Sequence, residues 1–211
     1  FGWDRWDQAY LEALAKTGNE PIGSLGYDGP LAALNPEKPN LSEFFKETVA
    51  VVTNPAIDRE REVEHFSTRT LLGRRPLPDG RGGGRVEELL LPIVLEEDQA
   101  LAEAFGTLTL SEVRARFKTK TLVPQFTVEE GLLAGLKRLG EEAVKAVEEG
   151  AEVLILSDRE AFQGGVWIDV GLAVAAVNRA LMKRDAEGVA LRRRTSLLVH
   201  SGGVRNLHDV A

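Results

Sequence analysis

The stretch Ala151-Glu152-Val153-Leu154-Ile155-Leu156-Ser157-Asp158-Arg159 decides the fold. Its four apolar residues run without interruption and stop abruptly on Ser, Asp and Arg. An unbroken apolar run of this length reads as a strand buried on both faces, which is the pattern of a parallel sheet rather than of a half-exposed one. Upstream, Leu132, Leu133, Leu136, Leu139, Val144 and Val147 recur at helical spacing and are candidate buried positions of a long amphipathic helix. Thr127 with Glu130 has the form of a capping box that would open this helix, and Gly150 is placed to close it. Before it, Thr121 to Phe126 is β-like, and Thr109 with Glu112 reads as a second box starting a short helix that ends near Phe117. After the central strand, a helix covers about Val170 to Lys183, and Ser196-Leu197-Leu198-Val199 is the next strand. Strand, helix, strand, helix, strand is a parallel βαβαβ arrangement with both faces covered and right-handed crossovers.

Further toward the N-terminus the pattern loosens. Trp6 to Ala15 places Tyr10, Leu11 and Leu14 at helical spacing, and Gly18 suits a left-handed cap. Pro and Gly are then frequent up to Pro39, which reads as ordered loop. Asn40 with Glu43 reads as a helix start, with Phe44, Phe45, Val49 and Val52 on one apolar face, and Pro55 stops that helix. Gly80, Gly82, Gly83 and Gly84 sit among arginines, and no strand or helix flanks them as a phosphate loop requires, so they read as a flexible surface loop. Val86 to Leu95 could be an edge strand, because Pro92 would not suit a central one. The expected organisation is an N-terminal helical and loop segment (1–72), a flexible Gly/Arg-rich loop (73–85) and an α/β portion (86–211), together one domain. The fold class is therefore α/β, a parallel sheet built from βαβ units and flanked by helices. A chain that opens on Phe1 and stops at Ala211 is expected to be a piece of something longer.

Composition narrows the function. With 211 residues the chain can bury one sizeable core. It has no cysteine, which excludes disulfides, thiolate nucleophiles and Cys-held iron–sulfur clusters in this segment. A net charge of −7 argues against a nucleic-acid partner, and its short apolar runs argue against a membrane. His65, His200 and His208 are too scattered for a metal spacing. No secretory leader is evident, so the cytoplasm is the expected compartment.

In a parallel sheet, ligands bind beyond the carboxyl ends of the strands. Asp158 and His200 fall there and could form an acid–base pair; alternatively, Asp158 caps its loop or pairs with Arg159. Ser201-Gly202-Gly203 could offer backbone N–H groups to a phosphate, as a nucleotide-binding α/β module would, or could simply be a tight turn. Trp167 reads as covering a strand end. Trp3 and Trp6 could share a helix face, and Arg192-Arg193-Arg194 reads as a solvated lead-in to a strand.

Several segments, in order, resemble the central domain of glutamate synthase. They include Phe1-Gly2-Trp3, Lys16 to Gly26, Val51-Val52-Thr53-Asn54-Pro55-Ala56-Ile57-Asp58, Glu148 to Arg159, and Ser201-Gly202 with His208. The Thr-Asn-Pro-x-Ile-Asp run is the specific part. The resemblance implies a non-catalytic connecting domain, partly β/α-barrel-like, in an enzyme that makes two glutamates from glutamine and 2-oxoglutarate. Its partners would be the glutaminase and FMN-binding synthase domains of the same protein, with oligomerisation left open. FMN and the iron–sulfur cluster would lie in those other domains, with no cofactor in this segment. Thr53 and Asn54, with Pro55 fixing the turn, match the segment near the ammonia tunnel. Small polar side chains can line such a passage and hydrogen-bond ammonia without titrating.

Overall fold

The computed structural model describes residues 3–18, 31–35, 41–45, 67–77, 79–205 and 207–210. Two compact units are present, Phe1–Ala56 with Gly202–Ala211, and Ile57–Ser201.

The second unit holds the sheet. β1 (Thr70–Gly73) and β2 (Val86–Leu89) form an antiparallel hairpin. Two short helices follow, α1 (Gln99–Ala104) and α2 (Leu110–Arg116). Thr109 and Glu112 cap α2 reciprocally: Glu112 N–H donates to Thr109 Oγ1 at 3.2 Å and Thr109 N–H to Glu112 Oε2 at 2.9 Å, as the spacing predicts. Then come β3 (Thr119–Leu122), β4 (Gln125–Phe126), α3 (Leu132–Glu148), β5 (Val153–Ser157), β6 (Val166–Trp167), α4 (Val170–Ala180) and β7 (Ser196–His200). The three long strands are parallel in the order β3-β5-β7, and β4 pairs β6 antiparallel. Among the described residues the sheet is open, without barrel closure.

β5 separates two apolar cores. Leu154 and Leu156 pack with Leu139 and Ala143 of α3 and Ala173 and Val177 of α4. Val153 and Ile155 point the other way, among Leu72, Leu89, Val113 and Phe117. Val153, Leu154, Ile155 and Leu156 are each 0% exposed. The two-residue period of a strand thus delivers alternate side chains to opposite cores, and an unbroken apolar run is the only sequence that satisfies both.

α3 differs from its expected form in two ways. Its buried positions include Gly135, Gly140, Ala143 and Ala146 besides Leu139 and Val147, whereas Leu133 is 83% exposed. The reason is close approach: a Cβ on Gly140 would lie 3.0 Å from that of Ala180 in α4. Its start is also later than Thr127 and Glu130 suggest. Glu130 N–H does donate to Thr127 Oγ1 at 3.1 Å, but the chain turns once more through Gly131, at φ 76°, before the helix begins. Glu130 instead binds Arg138 one helical stretch on.

Residues 74–77 and 79–85 close the hairpin through ordered contacts. Leu77 and Arg81 are joined by a backbone hydrogen bond of 2.9 Å, and Arg74 Nε donates to Gly82 O at 3.0 Å. Arg194 Nη1 reaches the same carbonyl at 2.9 Å. Here the reading of Arg192-Arg193-Arg194 as solvated holds for the exposed Arg193 and is corrected for its two neighbours. Arg194 is 6% exposed and pairs with Asp185 at 2.6 Å and Glu187 at 2.7 Å, while Arg192 donates to Asn178 and to Thr195 O. A guanidinium tolerates such burial because several acceptors satisfy its five N–H donors.

The first unit contributes the helices α5 (Arg5–Thr17) and α6 (Leu207–Val210). Asp4 and Asp7 form a capping box at the start of α5, and Gly18 closes it at φ 67°. Arg205, 6% exposed, binds Asp7 at 3.1 Å and Asp209 at 3.2 Å. Burial works against the charge of Asp209, but hydrogen bonds from Ser42 and Arg205 outweigh it and hold the carboxyl below its ordinary range.

Candidate functional site

The carboxyl ends of β5 and β7 lie side by side because Ser157 is in register with His200. Adjacent parallel strands therefore bring Ser157, Asp158, His200 and Ser201 into one cluster, as the strand boundaries predict. The side chains pair differently from the expected acid–base couple. Ser157 Oγ lies 3.1 Å from His200 Nδ1. Ser201 donates its hydroxyl to Asp158 Oδ2. Asp158 and His200 meet only through the backbone, where Asp158 N–H donates to His200 O at 3.2 Å.

Asp158 is 3% exposed, and its backbone carbonyl accepts from Ala161 N–H at 3.0 Å to close a turn, while its carboxylate takes the Ser201 hydroxyl. Arg159 does not pair with it. Arg159 Nη2 binds Glu96 Oε1 at 2.7 Å, and the same oxygen stands 3.9 Å from His200 Nε2. Glu96 was not legible as a member of this cluster: it follows the bridge residue Leu95 in a loop far from both strands in sequence. The cluster is thus a set of mutually satisfied polar groups. Glu96 lies closer to Arg159 than to His200, so it does not orient the imidazole as the third member of a triad would.

Of the Ser201-Gly202-Gly203 turn, Ser201 is held by Asp158 as described. The carbonyl of Gly202 accepts from Trp3 Nε1 at 2.6 Å, while Trp6 is 69% exposed with Arg5 5.1 Å over its ring. The helix beyond the turn, α6, is one turn long. Thr53, Asn54 and Pro55 lie outside the described residues, as do Asn40, Val49 and Val52. Trp167 sits in β6 opposite Gln125 of β4, and the next residue, Ile168, donates its N–H to Pro124 O at 2.9 Å. Among the described residues no group of three His, Cys, Asp or Glu is placed to hold a metal ion, and no helix is long and apolar enough to cross a membrane.

Two further surface features stand out. Val128, Leu133 and Phe162 of the second unit are each more than half exposed, as are Trp6, Leu34 and Phe45 of the first. On the outer side of the sheet's helices, an open groove of about 920 Å³ runs between α3 and α4 over Gly140, Ala176 and Ala180. Lys137, Lys145 and Arg179 are on its rim.

Comparison with known proteins gives the chain its context. The family described as the glutamate synthase central domain matches residues 1–211. The NADPH glutamate synthase large chain of Bacillus subtilis is 34% identical across 100% of this chain. The chloroplastic ferredoxin-dependent glutamate synthase of Spinacia oleracea is 32% identical, also across 100%. In both, the matched segment is 13% of the relative's length. The NADH glutamate synthase of Saccharomyces cerevisiae is 28% identical over 94% of this chain and 9% of its own length. An α/β fold together with a family match that runs from the first residue to the last leaves one conclusion: the chain belongs to the glutamate synthase central domain family.

Proposed function

We propose that this chain works as a non-catalytic connecting domain of a glutamate synthase, between the glutaminase domain and the FMN-binding synthase domain of one longer cytoplasmic polypeptide. The observation that carries the reading is the end-to-end family match combined with a span of only 13% of the relatives' length. The polar cluster at the sheet end supports it, because Asp158, Ser201, Ser157, His200 and Glu96 are engaged with one another or with Arg159 rather than aimed at a common point. FMN and the iron–sulfur cluster belong, in this reading, to the other domains.

Thr53, Asn54 and Pro55 help wall the passage that carries ammonia from one active site to the other. The test is Asn54→Leu in the intact enzyme, with free ammonia and glutamate followed together. A bulky apolar side chain in the wall should uncouple the two, so that ammonia appears in solution for each glutamine consumed. Unchanged coupling would remove Asn54 from the passage.

A further inference from the structure

The outer edge of β7 is a half-finished ladder. In the β5–β7 pairing, Ser196 N–H donates to Glu152 O at 2.9 Å and His200 O accepts from Asp158 N–H at 3.2 Å. Alternate residues of a strand turn their backbone groups to opposite sides. Ser196, Leu198 and His200 therefore face β5, and Leu197 and Val199 present N–H and C=O groups to the other side. Among the described residues no hydrogen bond reaches those groups.

The side chains of β7 are those of an interior strand. Leu197 packs on the helix-side core and Leu198 on the hairpin-side core, so the strand is apolar on both faces as β5 is. Ser-Leu-Leu-Val-His carries none of the devices that guard a free edge, such as Lys, Pro or a bulge, and Val199 is 38% exposed. The opposite edge strand, β3, does carry an exposed lysine, Lys120. The winding points the same way. β3, β5 and β7 are added in sequence order across the sheet, and α3 and α4 both pack on the same core. Right-handed crossovers that keep to one face place the next strand beyond β7.

We propose that the outer edge of β7 receives a further parallel strand, hydrogen-bonded to Leu197 and Val199 and contributed by the longer polypeptide outside residues 1–211. The proposal rests on the embedded-domain reading above. An extended segment fits because the unmet groups are backbone donors and acceptors in strand register, which a helix packed against the edge cannot satisfy.

The experiment is amide hydrogen exchange on the intact native polypeptide, resolved to single residues by fragmentation of the peptide spanning β7. Leu198 is the internal reference, since its N–H faces β5. With a strand paired outside, Leu197 and Val199 should exchange within roughly tenfold of Leu198. If they exchange more than about 100-fold faster, the edge is solvated and the proposal is overturned. Protection that rises with protein concentration would assign the edge to a second copy and overturn it too. Val199→Pro removes one ladder donor and should release Leu197, whereas Val199→Ala should not. Equal protection at Leu197 in wild type and Val199→Pro would mean that the edge is only covered, and would also overturn strand pairing. A native polypeptide of about 23.0 kDa would sink the embedded reading itself, a separate outcome read from mass.

Discussion

Arg138 grips Glu130 in a two-pronged contact, Nε to Oε1 at 2.7 Å and Nη2 to Oε2 at 3.1 Å. The same Nη2 donates to Gln125 O at 2.7 Å, so one guanidinium joins β4, the turn before α3, and α3 itself. Arg138 holds the Glu130 carboxyl below its ordinary value of 4.5. A carboxyl whose folded pKa is depressed adds stability that is present above the unfolded value and is lost as pH falls through the folded one. Stability should therefore decline on acidification below about pH 4.5, and Arg138→Met should flatten the Glu130 part of that decline. Urea unfolding at a series of pH values reads it; an unaltered slope in the variant would discount the pair.

Leu154 and Ile155 are adjacent in sequence and belong to different cores. Truncating either removes packing from only one face, so Leu154→Ala and Ile155→Ala should each cost about 2–5 kcal/mol. Chemical denaturation at constant m-value checks this. A loss well under 1 kcal/mol for one of them would show that its face is not packed as described.

Gly140 sets the spacing of α3 and α4. Gly140→Leu should force the helices apart and cost about 1–3 kcal/mol, whereas Gly140→Ala asks for a shift of only a few tenths of an ångström at Ala180. Thermal unfolding of the two variants should rank Leu well below Ala. Equal stability would contradict the close crossing.

Arg194 holds Gly82 O together with Asp185 and Glu187. Arg194→Met should release the β1–β2 connection, and trypsin should then nick after Arg81 several-fold faster than in the parent. An unchanged cleavage rate would mean that the other contacts, such as Arg74 Nε to Gly82 O, suffice.

The parts legible in the sequence were those with local causes. β5 follows from its own run of apolar residues, α2 from its Thr109–Glu112 box, and the end of α5 from Gly18, whose positive φ suits glycine. The parts that were not legible depend on distant partners. β1 is four residues whose strand character rests on pairing with Val86–Leu89. Arg194 is buried because Asp185, Glu187 and Gly82 happen to surround it, and no spacing announces that. The start of α3 fails for a subtler reason: Thr127 and Glu130 do form part of a cap, but Arg138 claims the carboxylate that would complete it. At the sheet end, Asp158 and His200 were correctly brought together by strand position, yet their partners Ser201, Ser157 and Glu96 were decided by geometry.

The most direct test of the embedded connecting role is the intact mass and visible absorbance of the native protein purified from its source. A polypeptide several times larger than 23.0 kDa that carries a flavin spectrum is the expected result. A colourless native product near 23.0 kDa would contradict it.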